Sequence, residues 1–136
     1  MKLLRSLFSS RSWGTDLALL VLRLSCGLMI IHGWGKFQGF AERSETWPDP
    51  FHVTPPVSLA LTVFAELVCS LLVVVGLFTR LSLVPLIICM LVAVFVIHGS
   101  DPFGEKEHAL LFLLPYFTLM ITGPGKYSAD ALVLKK

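Results

Sequence analysis

The sequence predicts an all-α integral membrane protein, a four-helix antiparallel bundle with both termini on the cytoplasmic side. Three observations lead there. Hydrophobic residues make up 55% of the 136 positions, and the mean hydropathy of +0.80 lies far above that of a water-soluble domain of this size. Apolar runs long enough to cross a ~30 Å hydrocarbon core at ~1.5 Å per residue recur along the chain. Charged residues fall between those runs, with Arg23 and Glu66 as the deep exceptions. The whole chain, 1–136, reads as one transmembrane domain with spans at about 17–34, 57–78, 81–98 and 107–122.

Met1 to Gly14 mixes Lys2, Arg5 and Arg11 with Leu3, Leu4, Leu7, Phe8 and Trp13. That pattern suits a short amphipathic segment on an anionic membrane face. It does not read as a cleaved signal peptide, because no small-residue cleavage site follows and the next apolar run contains Arg23. Span one starts behind Asp16, placed to cap it. It ends in His32-Gly33-Trp34-Gly35-Lys36, where glycines weaken a helix and Trp34 and Lys36 suit the water interface.

Residues Phe40 to Pro56 hold Pro48, Pro50, Pro55 and Pro56 and read as a loop. Span two, from Val57 to Phe78, carries Glu66 near its middle. The tight turn around Gly76 to Leu81 makes spans two and three antiparallel neighbours. Span three takes Pro85 in its first turns and ends at His98. The polar turn Gly99 to Lys106 leads into span four, which Pro115 is expected to kink before Gly123-Pro124-Gly125 stops it. Ser128 is placed to cap a last short helix ending at Lys135 and Lys136.

Four crossings put Lys2, Arg5, Arg11, Arg80, Lys126, Lys135 and Lys136 on one side, against Lys36, Arg43 and Lys106 on the other. This bias places both termini in the cytoplasm. Lipid is then an unavoidable partner. The small net charge of +2 and the lack of a basic, aromatic-interleaved stripe give no nucleic-acid signal. Cys26, Cys69 and Cys89 sit in apolar runs without C-x-x-C pairing and read as small buried hydrophobes.

Two groups of polar residues carry candidate chemistry. Arg23 lies 11 residues before Trp34 and Glu66 lies 9 residues after Val57, so the two charges reach similar depths and are expected to pair. Arg23 reaching towards Asp16, or a protonated Glu66, are the alternatives. Ser58, Thr62, Glu66 and Ser70 recur every four residues and mark an inward face of span two. The second group is His32, Lys36, His98, Glu107 and His108, which topology brings to the outer ends of the spans. Its spacing matches no recognised metal site. His32 joins Arg23 at one site only if span one unwinds near Gly33, whereas His98 and Glu107 are better placed to share one.

The chain resembles the DoxX family of small bacterial four-helix membrane proteins. The match rests on Arg23 and Gly27 leading to His32-Gly33 and Lys36-Phe37, then Ala65-Glu66, Gly76-Leu77-Phe78-Thr79-Arg80, His98, and Gly123-Pro124-Gly125-Lys126-Tyr127-Ser128 with Asp130. The resemblance implies a membrane redox context, since the family includes a membrane subunit of a thiosulfate:quinone oxidoreductase and partners of other redox or stress proteins. No haem, flavin, iron–sulfur or metal ligand pattern is present, so electron transfer would rest on a bound quinone or a protein partner.

The function expected is therefore a quinone-interacting subunit of an oxidoreductase system. In it Arg23 and His98 donate hydrogen bonds, Glu66 relays protons, and His32, Lys36, Glu107 and His108 line the binding site. The alternative is a non-catalytic anchor or assembly subunit with a structural Arg23–Glu66 pair, and so small a bundle could also form a homo-oligomer. A carrier function has least support, because no inverted repeat or mid-depth helix break is visible.

Overall fold

A computed structural model describes residues 14–134, and the expectations for the amphipathic N-terminal segment and for Lys135 and Lys136 lie outside the described residues. The described residues are helical and contain no strand. Three helical stretches are long and apolar enough to cross a membrane: Thr15–Gln38, Pro55–Val75 and Thr79–Ile97.

The first stretch is two helices, α1 (Thr15–Cys26) and α2 (Met29–Gln38), followed by the short α3 (Phe40–Arg43). It runs past Trp34, the expected end, because Gly35 and Lys36 stay helical. It also bends earlier than expected. The irregular turn lies at Gly27–Leu28, where Gly27 N–H donates to Leu24 O and Leu28 N–H to Ser25 O in tight three-residue steps, and not at Gly33. Gly27 is placed against the second stretch, since a Cβ there would come within 2.8 Å of Val74 Cγ2. Asp16 does not cap α1, which begins one residue before it with Gly14 at the cap position.

The second stretch comprises α4 (Pro55–Val63), a π-helical turn (Phe64–Cys69) and α5 (Ser70–Val75). Prolines at its first positions need no N–H partner. Gly76, at φ 77°, ends it: Leu77 N–H and Gly76 N–H return to the Leu72 and Val73 carbonyls at 2.9 and 3.1 Å. The chain reverses at once into α6 (Thr79–Val92), which continues as a second π-helical turn (Ala93–Ile97).

The fourth long helix, α7 (Phe103–Thr122), packs along α6 and holds Pro115 within one continuous helical segment. It starts earlier than the sequence indicated, and its charged first turn holds Glu105 and Lys106. Arg80 closes its far end, donating to the Met120 and Ile121 carbonyls at 3.1 and 3.2 Å. The last helix, α8 (Ala129–Val133), is capped as expected by Ser128, whose Oγ accepts from Ala131 N–H at 3.2 Å.

Leu59, Cys69, Val73, Leu83, Leu86, Met90, Tyr116 and Leu119 are buried between these helices. Large apolar side chains such as Ile31, Leu81, Phe95, Leu114 and Ile121 point outward all round the molecule. An outward apolar surface of this extent fits hydrocarbon and not water.

Candidate functional site

Glu66 lies in the first π-helical turn and is 4% exposed. Its partner is Lys36, whose Nζ sits 2.5 Å from Oε2, and not Arg23. Gly33 explains the choice. Its backbone lies directly against the π turn, where a Cβ would fall 2.6 Å from Leu67 N and 2.7 Å from the Glu66 carbonyl carbon. Lys36 follows one turn later on the same face and is carried to the carboxylate. The expected pairing counted depth from Trp34. Because α2 continues to Gln38, it is Lys36 that shares the level of Glu66.

Arg23 is buried elsewhere, at 2% exposure. Its guanidinium donates to three carbonyls, Pro124 O and Tyr127 O at 2.9 Å and Val74 O at 3.0 Å. It also does not reach Asp16, which accepts from Lys126 N–H at 2.9 Å. Asp130 completes this end of the molecule by accepting from Phe78 N–H, Thr79 N–H and the Thr79 hydroxyl at 2.8–2.9 Å. Burial alone would raise the Asp130 pKa. The bonds from Thr79 and Phe78 and the charge of Arg23 outweigh it and hold the carboxyl below its ordinary value. Arg23 and Asp130 thus fasten α1, the Gly76 turn and the loop before α8 together, away from Glu66.

Glu66 and Lys36 open onto a cavity of ≈570 Å³. His32, His98 and His108 line it as well, so four of the sequence candidates do gather with Glu66. The His32 and His108 rings meet at 4.6 Å, and His108 stacks on Phe112 at 5.1 Å. His98 Nδ1 lies 2.8 Å from Asp101 Oδ2 at the rim. Glu107 does not line the cavity, whereas the exposed Glu105, in the first turn of α7, does. Both π-helical turns border the cavity, through Phe64, Ala65 and Glu66 on one side and Ala93 and Ile97 on the other.

Cys89 and Trp47 are members that sequence reasoning missed. Cys89 lines the cavity with its Sγ 3.9 Å from Glu66 Oε1, whereas Cys26 and Cys69 are buried as expected. Trp47 lies 6.0 Å from Lys36 Nζ, within cation–π range. Its loop is held over the cavity by Ser58 Oγ, which donates to Pro48 O at 2.8 Å. A proline-rich loop gives no periodic signal by which its inward residues could be chosen.

The family model for DoxX matches residues 18–99, the stretch that carries Arg23, Gly33, Lys36, Glu66 and His98. The chain belongs to the DoxX family. A DoxX-type relative, the inner membrane protein YqjF of Escherichia coli strain K12, is 30% identical over 89% of this chain and 95% of its own. An uncharacterized protein of Haemophilus influenzae is 27% identical over 90% of this chain and 87% of its own. No solved structure matches. As a DoxX family member with three apolar helices of crossing length, the protein is a membrane protein in contact with lipid.

Proposed function

We propose that this DoxX protein is a multi-pass subunit of the bacterial cytoplasmic membrane that binds a quinone-type head group beside Lys36 and Glu66. In this reading four helices cross the bilayer as an antiparallel bundle, α7 included, and both termini are cytoplasmic. The basic residues Arg80, Lys126, Lys135 and Lys136 support that orientation. The inner-membrane relative supports the location.

The observation that carries the reading is the cavity itself. Its volume falls within the ~300–1,000 Å³ range of small-molecule sites. Its wall is mostly apolar, with a largely buried ion pair and three imidazoles at a few fixed points. A quinone ring takes apolar walls, and its carbonyl oxygens take donors such as the Lys36 ammonium and an imidazole N–H. Reduction of the head takes up protons, which Glu66 and His108 are placed to exchange. Electrons come from a redox partner protein. Arg23 has no part in this chemistry, since three backbone carbonyls hold its guanidinium away from the cavity.

Purified protein in mild detergent should carry co-purified quinone, or show a rise in unfolding temperature when a quinone is added. Protein with neither, at quinone concentrations that saturate known quinone sites, contradicts the proposal. The carbonyl cage around Arg23 favours a second reading, a non-catalytic anchor or assembly subunit held rigid at that end. A Glu66→Gln variant that stays folded and keeps its partners but loses redox activity decides against it.

A further inference from the structure

We infer that the cavity takes its ligand sideways from the bilayer, through a cleft between the second and third helical stretches, and that the ligand keeps a long apolar chain in that cleft. This rests on the proposed binding of a quinone-type head group and names its substrate class: lipid-soluble quinones with an isoprenoid-like tail, in preference to water-soluble heads.

Three observations place the opening. Leu61 and Phe64 on one lip, and Ile88 on the other, line the cavity and are also 48–56% exposed on the outer surface of the molecule. A side chain that borders an interior space while facing outward marks an edge of that space. The first π-helical turn packs against α6, but α4, outward of it, packs closely on neither α6 nor the second π-helical turn. The two stretches therefore diverge outward from the level of Glu66. Immediately inside the lips stand the polar groups, Glu66 two residues after Phe64 and Cys89 next to Ile88.

The cleft and the ion pair divide the work of one amphipathic ligand. A chain lying between Leu61, Phe64 and Ile88 exchanges lipid contact for protein contact, so it is retained at little desolvation cost while the head leaves the hydrocarbon for donors. At the far side the loop carrying Trp47 and Pro48 covers the space, tied to α4 through Ser58. A tailless head that reaches the cavity from its polar end, where His98 and Glu105 stand, gains nothing from the cleft, whereas a chain-bearing ligand in the bilayer does.

The test compares two benzoquinones of identical head, one with a long isoprenoid tail and one with none, binding to purified full-length protein in lipid nanodiscs. Ile88→Trp narrows the mouth, Leu61→Trp narrows it from the opposite lip, and Leu111→Trp adds the same bulk to an outward-facing position away from the cavity. The expected result is an about tenfold loss of affinity for the tailed quinone in both lip variants, the scale on which pockets resolve added methylenes, with tailless binding within about twofold of wild type. Leu111→Trp should change neither, and unfolding temperatures report whether each variant is folded; if one lip variant does not fold, the other decides the test. Equal loss for both quinones, or undiminished tailed binding in a folded lip variant, overturns the lateral entry while leaving the head-group site standing. Failure of the wild-type protein to bind either quinone overturns both.

Discussion

Lys36 and Glu66 form an ion pair across two helical stretches, with Nζ 2.5 Å from Oε2 and side-chain exposures of 20% and 6%. Either charge left alone at that depth in the protein would be costly. The pair is possible because Gly33 removes the side chain that would hold the two backbones apart. The site is thus a consequence of a packing contact one turn away.

Gly33→Ala should therefore damage the site without touching a charge. A Cβ 2.6 Å from backbone nitrogen must push α2 off the π turn, since backbone cannot rotate away as a side chain can. The expected loss is about 1–3 kcal/mol of stability, read as a lowered unfolding midpoint, together with weaker ligand binding. Gly35→Ala, where no atom lies within 4 Å of the added carbon, should leave binding unchanged and hold or raise the unfolding midpoint, as Ala favours a helix over Gly.

Arg23→Lys should not substitute for arginine. Three carbonyls from two segments are met by the planar fork of one guanidinium, and a single ammonium on a flexible stem cannot reach them in the same geometry. Leaving those carbonyls short of donors should cost about 2–4 kcal/mol. Limited proteolysis should show faster cleavage in the Gly123–Ser128 loop, while quinone binding by the folded fraction is retained.

Much of the fold was readable from the sequence because hydropathy alone locates the apolar helices and Gly76 forces the reversal between two of them. Gathering His32, His98 and His108 at one end followed from that topology. Partner choice did not. The Arg23–Glu66 expectation depended on where span one ends, and glycines at 33 and 35 read as helix-weakening although packing keeps them helical. Facing residues were chosen with a regular 3.6-residue period. Two π-helical turns break that period, at Glu66 and before His98. Glu107 was expected at the site with the start of α7 set four residues late, and Glu105 went unnoticed.

Asp130 should make stability depend on pH on the acid side. Its folded pKa lies below the unfolded value of ~3.9, so the ionised form is the one the fold favours. The stabilisation is fully present above the unfolded pKa and is lost as pH falls through the folded one. Unfolding midpoints measured between about pH 6 and pH 3 should fall at the acid end in the wild-type protein. In Asp130→Asn that part of the fall should be missing, with a lower midpoint near neutrality.

The most direct test is a pair of double-mutant cycles on unfolding free energy, one through Lys36→Met and Glu66→Gln and one through Arg23→Met and Glu66→Gln. Each single change at the first pair should cost about 2–4 kcal/mol by stranding the other charge, and the double variant should recover much of that loss. The Arg23 and Glu66 changes should add independently, within about 0.5 kcal/mol. Additive behaviour for Lys36 with Glu66, or a coupling of Glu66 to Arg23 in its place, would contradict the arrangement of charges on which the proposed site depends.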